Sequence, residues 1–356
     1  MSIVAHTRPF VIGVDAHART HALAILGCPT GELLDEAQFP ATAAGMRRAL
    51  DWVARRTGGD LDTLWVIEGV GTYGARLART ATDAGYPVVE ASRMSARANR
   101  GVGKSDPLDA RRIAQAVLPM TEPQLRQPRS DNGVRAALRI LIASRDQITN
   151  ERTAAINALI ALLRVVDLGI DARGSLTATQ IATIAAWRSR SEELAAAIAR
   201  AEAVRLAKRV HDSTKELTAL TRQMTDLLAI SPAAHLLDQP GIGPITAAIA
   251  FAAWSHPGRV RSEAAFASLA GVNPIPASSG NTVRHRINRG GDRRLNSALH
   301  MAVVTRMRMD PETRSYVEKR TREGRTHREI RRSLKRYLAR QIYRHLNAAT
   351  ATTINA

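Results

Sequence analysis

The chain carries a single cysteine, Cys28, so no internal disulfide can form and burial and hydrogen bonding have to hold the fold. No apolar run approaches the roughly 20 residues that cross a bilayer. The opening stretch Met1–Pro9 lacks the apolar region of a secretory leader, so a soluble, cytoplasmic protein with no membrane partner is expected. Aromatic residues are only 4% of the chain, which excludes stacking of bases on aromatic platforms as the main mode of nucleic-acid binding. No histidine and cysteine cluster offers a zinc site. Asp15-Ala16-His17-Ala18 has none of the glycines of a sugar-kinase phosphate loop. Repeats of solenoid length and low-complexity tracts are absent as well.

What is present in excess is positive charge: 51 Lys and Arg against 32 Asp and Glu, net +19. Its distribution is uneven. Residues 1–125 hold 14 basic and 13 acidic side chains, residues 126–280 hold 18 and 13, and residues 281–356 hold 19 and 6. One end is suited to gripping a polyphosphate while the other keeps its acids for chemistry. With so few aromatics, arginine contacts to phosphate must dominate.

The pattern divides the chain into three parts, residues 1–130, 131–230 and 231–356. In the first, Phe10–Val14, Ala22–Leu26 and Leu33–Phe39 read as three consecutive antiparallel strands. Helical spacing over Thr42–Arg56 follows, then a strand at Leu64–Ile67, a helix over Thr72–Ala84, a strand at Pro87–Val89 and a helix over Pro107–Val117. That is the order of an α/β ribonuclease H-like (RuvC-like) domain. In the second part Val134–Val166 and a stretch from Ile181 to Leu228 predict two long helices, an antiparallel pair or coiled-coil arm with Ser213 on its seam. The third is mostly α. It opens on Pro240-Gly241-Ile242-Gly243, a helix-hairpin-helix-like turn in which Gly241 and Gly243 would let backbone N–H groups approach a phosphate. It ends in the arginine-rich helical stretch Arg314–Arg344.

Four carboxylates fall where such an N-terminal domain would gather them. Asp15 closes the first strand, Glu68 closes the fourth, and Asp106 and Asp109 share one face at the start of a helix whose Pro107 suits the first turn. Like charges this close repel, and a divalent cation is the reason for them to converge. Oxygen ligands favour Mg²⁺ (or Mn²⁺) over zinc. His17 lies beside Asp15, where it could touch metal or substrate, and reads first as a surface histidine.

Near the C-terminus, Ala270-Gly271-Val272-Asn273-Pro274 leads to Ser278-Ser279-Gly280-Asn281 and then to Arg284, Arg286, Arg289, Arg293 and Arg294. A hydroxyl beside glycine, followed by cations, meets the needs of attack on a phosphodiester and either serine qualifies, but on the residues alone Ser278-Ser279-Gly280-Asn281 reads first as an ordinary polar loop.

Together with Ile12-Gly13-Val14-Asp15, Ile67-Glu68-Gly69-Val70-Gly71-Thr72-Tyr73 and Lys104-Ser105-Asp106-Pro107-Leu108-Asp109-Ala110-Arg111, these blocks resemble the insertion-sequence transposases with a DEDD metal tetrad and a catalytic serine. That family is related to the pilin-gene invertases, and its members use a bridge RNA. The resemblance implies that Asp15, Glu68, Asp106 and Asp109 bind metal and that Ser279 is the nucleophile, with Ser278 its neighbour and rival. It implies a DNA recombinase acting on donor and target DNA, guided by RNA, and assembled from dimers into tetramers. Where the family pattern has a lysine before the glycine that follows the serine loop, this chain has Arg289. A junction-resolving nuclease and an inert nucleic-acid scaffold are the competing readings.

Overall fold

The computed structural model describes residues 2–91, 105–129, 133–278 and 285–354, with side chains up to residue 349. The chain forms two compact units, Met1–Asp131 and Asn132–Ala356.

The first unit opens with the short helix α1 (Val4–Thr7). It continues through β1 (Phe10–Ala16), β2 (Thr20–Gly27), β3 (Glu32–Pro40), α2 (Ala43–Thr57), β4 (Leu64–Ile67), α3 (Ala75–Asp83), β5 (Val88–Glu90) and α4 (Asp106–Gln115). The strands form one sheet in the order β3-β2-β1-β4-β5. β1 pairs antiparallel with β2 and β2 with β3, whereas β1–β4 and β4–β5 are parallel. The centre of the sheet is buried on both faces, which is why β1 and β4 are nearly continuous apolar runs. Ile12, Val14, Trp65 and Ile67 pack under α2 and α3 through Trp52, Val53 and Leu77. Val11, Leu64 and Val66 pack on the other face, with Val4 and Ile113.

α4 sits against β1 with almost nothing between them. A Cβ on Gly13 would fall 2.0 Å from the Ala110 carbonyl oxygen and 2.7 Å from Ala114 N, and Ala22 and Ala24 make the same approach with Ala110. Small residues on strand and helix thus fix where the first turn of α4 lies. The expected helix over Thr72–Ala84 starts three residues later, at Ala75. Gly74, whose N–H donates to Gly69 O at 3.0 Å, is packed against the Glu68 carbonyl and leaves Thr72 and Tyr73 in the turn.

The second unit is mostly helical. α5 (Gly133–Val165) and α7 (Leu194–Ala229) form a long pair, with α6 (Ala178–Ala185) between them in sequence. The pair is antiparallel. Leu138 and Ile142 share one apolar cluster with Met224 and Leu228, and Leu159 and Leu163 share another with Leu206 and Val210. Between the clusters the seam is polar: Ser213 is buried there, and Arg152 Nε donates to Thr214 Oγ1 at 2.8 Å.

One expectation is corrected here, since the second long helix does not run unbroken from Ile181. Residues 186–193 leave the helix and fold back on α7, where the Arg200 guanidinium lies 4.8 Å from the Trp187 ring and Arg200 Nε donates to Glu192 at 2.7 Å. Arg200, almost wholly buried, obtains both partners only through that break.

After a 3₁₀ turn at Ala234–Leu236 comes α8 (Pro244–Trp254), apolar all round and therefore buried. α9 (Glu263–Leu269), the two-stranded hairpin β6 (Pro274–Pro276) and β7 (His285–Ile287), α10 (Arg293–Met309), α11 (Pro311–Arg322) and α12 (His327–Ile354) complete the unit. Among the described residues no helix is long and apolar enough to cross a membrane.

Candidate functional site

Parallel pairing of β1 with β4 aligns Val14 with Ile67, so the residues that follow, Asp15 and Glu68, leave the same end of the sheet on neighbouring strands. The Glu68 N–H donates to Val14 O at 3.0 Å and holds that alignment to the strand end. α4, seated on Gly13, brings in Asp106 and Asp109. Asp15, His17 and Asp106 offer ligand atoms that all lie within 4.8 Å of one another. His17 Nε2 is 3.0 Å from Asp15 Oδ2 and 3.5 Å from Asp106 Oδ1, which places the imidazole between the two carboxylates. Asp109, on the same helix face, is paired with Arg112 at 3.0 Å.

The acids sense one another electrostatically. Burial pushes the Asp15 carboxyl above its usual value, His17 opposes the rise, and the charges of Asp106 and Asp109 add to it. Glu68 is raised by burial and then by Asp15 and Asp109, with His17 again opposing. Clustered carboxylates whose ionised forms are disfavoured match a hard divalent cation, which neutralises the repulsion and satisfies the oxygens. His17 was not counted with the acids in the sequence. The Asp-x-His spacing on a strand end was the available signal, because side chains two apart share a face.

In the second unit, Pro274 pairs with Ile287 and Pro276 with His285, joining β6 to β7. Ser278, two residues beyond β6, is exposed. Ser279 and Arg284 lie outside the described residues. The foot of the hairpin is clamped by the Asp292 N–H donating to Leu269 O at 2.7 Å and by Asn288 Nδ2 donating to Asn273 Oδ1 at 2.7 Å. Arg286, Arg289 and Arg293 line an open groove beside it. Arg294 faces elsewhere, with Nε 2.7 Å from Asp146 of α5.

The Gly241-Ile242-Gly243 turn differs from its expected form in what precedes it. A single 3₁₀ turn, not a full helix, precedes it. Gly241, at φ 73°, has no room for a side chain: a Cβ there would lie 2.7 Å from Ala302 O, and Arg306 Nε donates to Pro240 O at 2.6 Å. Gly243, the N-cap of α8, has open space around it.

A mixed sheet in this order, with acids at the ends of the adjacent strands β1 and β4 and a helix adding two more, is that of a ribonuclease H-like domain with a candidate metal site, in a chain whose remainder is helical. Two family models match in succession: a DEDD transposase model of the IS110 type over residues 12–166, and "Transposase IS116/IS110/IS902 family" over residues 233–318. The chain is 25% identical to the "Insertion element IS110 uncharacterized 43.6 kDa protein" of Streptomyces coelicolor, over 84% of each chain. It is 29% identical to the "Insertion element IS900 uncharacterized 42 kDa protein" of Mycobacterium paratuberculosis, over 64% of this chain and 67% of the relative. The chain is a transposase of the IS110/IS116 family.

Proposed function

We propose that this transposase cuts and rejoins DNA through a covalent phosphoserine link, with Ser279 as nucleophile and Asp15, Glu68, Asp106 and Asp109 as ligands of Mg²⁺ or Mn²⁺. The observation that carries the reading is the convergence of Asp15, His17 and Asp106, with Glu68 and Asp109 close enough to perturb Asp15 or be perturbed by it.

In the step envisaged, the Ser279 oxygen attacks phosphorus and loses its proton, an Oγ–P bond forms, a P–O bond to deoxyribose breaks, and the departing oxygen takes up a proton. Attack by the freed hydroxyl of another strand reverses the sequence and rejoins the DNA. When bound, the divalent ion supplies Lewis-acid stabilisation of phosphodiester oxygens. Asp15, the most buried of the acids, would fix the ion's depth at the sheet end, and His17 would orient Asp15 and Asp106 toward it. Arg286, Arg289 and Arg293 would hold nonbridging oxygens near the hairpin, and the open edge at Gly243 would offer backbone donors. Arg284 and Arg294 belong to the same basic stretch. A bridge RNA as guide and assembly of dimers into tetramers around two DNAs, with α5 and α7 as a coiled-coil arm, complete the proposal on the strength of the family resemblance.

The test is denaturant trapping of a protein–DNA adduct. Wild type should form it and Ser279→Ala should not, while Ser278→Ala should. An adduct that survives in Ser279→Ala removes that residue from the role. Metal-dependent cutting with no adduct in any variant favours a water-activating nuclease.

A further inference from the structure

The groove beside the hairpin measures about 860 Å³ and runs between β7, the start of α10 and the middle of α12. Arg286, Arg289 and Arg293 line one side, and Arg332, Lys335 and Arg336, all from α12, line the other. α12 lies outside both matched family spans. None of these six cations is ion-paired with a described residue. Asp292, the acid among the lining residues, is committed to capping α10, accepting from Leu295 N at 3.0 Å.

Lys335 differs from the five exposed arginines around it, being half-buried. Its Nζ donates to Asn296 Oδ1 at 2.9 Å, and Asn296 Nδ2 in turn donates to Ala270 O at 2.7 Å. The ammonium is thereby tied to the turn from which the hairpin departs, with one of its three donors used. Burial and the charges of Arg332 and Arg331 push its pKa below the usual lysine value. A cation held against its own desolvation and against like neighbours is relieved by an anion. No tyrosine, tryptophan or phenylalanine is among the lining residues, so the groove is equipped for backbone phosphates and not for stacked bases.

We propose that this groove binds a DNA phosphodiester strand and that Lys335, fixed by Asn296, is its central phosphate contact at the foot of the serine hairpin. The choice of DNA rests on the recombinase reading, because Ser279, assigned there to DNA, follows β6 in sequence.

The experiment is fluorescence anisotropy of the full chain with a labelled DNA duplex, and with an RNA duplex of the same sequence, across a salt series. Lys335→Gln should weaken DNA binding about tenfold and flatten the log–log salt slope by about one, as loss of one charged phosphate contact does. Lys335→Arg should keep most of the affinity. Lys215→Gln, an exposed charge on α7, should change neither quantity. The double variant Arg332→Gln/Arg336→Gln, on the exposed rim, should weaken binding even if Lys335→Gln fails to fold. DNA binding unchanged in both groove variants, or weakened as much by Lys215→Gln, overturns the proposal; so does a loss confined to RNA. Wild type that binds DNA through the groove but forms no adduct defeats the recombinase reading alone. An adduct in wild type together with unaltered binding in the groove variants defeats the groove alone.

Discussion

Gly271 and Gly291 meet so closely that neither position has room for a side chain. A Cβ on Gly291 would lie 2.8 Å from Gly271 N and 2.6 Å from Leu269 O, and one on Gly271 would lie 2.6 Å from Gly290 O. Both residues adopt positive φ, 65° and 101°. Gly291→Ala is therefore expected to lower stability by about 2 kcal/mol, from backbone strain plus steric displacement. Urea unfolding checks this. Gly174→Ala, with nothing near its Cβ position, should leave the unfolding free energy within about 0.5 kcal/mol of wild type.

At Gly13 the constraint acts on the acidic cluster. Gly13→Ala should push α4 off β1 and carry Asp106 away from Asp15, since the added methyl would sit 2.0 Å from Ala110 O. We expect Mg²⁺ binding by calorimetry to weaken at least about tenfold, beyond any loss of stability, which is expected to be of order 1–3 kcal/mol. Unchanged Mg²⁺ affinity in a folded Gly13→Ala protein would count against α4 as the carrier of metal ligands.

The acids give the metal-free protein a definite pH dependence. Asp15 and Glu68 have raised pKa values in the fold, so the folded state holds their protons more tightly than the unfolded chain does. Their contribution is fully present below the ordinary carboxyl values and is lost as pH rises from about 4 through the raised values. Metal-free Asp15→Asn should accordingly melt above wild type at pH 7, with the gap narrowing toward pH 4. Mg²⁺ should raise the melting temperature of wild type and leave Asp15→Asn unmoved. A gap independent of pH in thermal melts would contradict the assignment.

Arg293 and Arg294 are adjacent in sequence and have different surroundings, the first on the groove and the second against Asp146. Arg293→Ala should weaken DNA binding and lower the salt slope by about one. Arg294→Ala should do so less, and a double-mutant cycle with Asp146→Ala should give about 0.2–1 kcal/mol for the half-exposed pair. Equal binding losses in the two variants would mean that the ion pair opens to take up nucleic acid.

The sheet was readable from the chain because apolar runs at β1, β2 and β4 are interrupted by turn residues, and β4 falls on Leu64–Ile67 as expected. The approach of Asp15 to Asp106 was readable for a related reason: strand ends and a helix start with i, i+3 acids are local patterns. The Asp15-x-His17 spacing records only that His17 lies near Asp15; its approach to Asp106, from a distant segment, is tertiary. The break before α7 escaped because the helix-forming run around it outweighs Trp187 and Glu192, whose attraction to Arg200 is tertiary. β6 and β7 are three residues each and wholly exposed, so they carry no alternation to detect. Gly241 had the composition of a phosphate turn, and only the fold shows that α10 lies where a side chain on it would point.

The paired helices α5 and α7 are gripped at two places, once near Leu159 with α6 and once near Leu138 with α8, with a hydrophilic stretch between. Each grip draws its apolar neighbours from a different part of the chain, so loosening one does not unpack the other. The handle formed in this way can be shortened, swapped or bent at its far end while the helical bundle at its root keeps its interior.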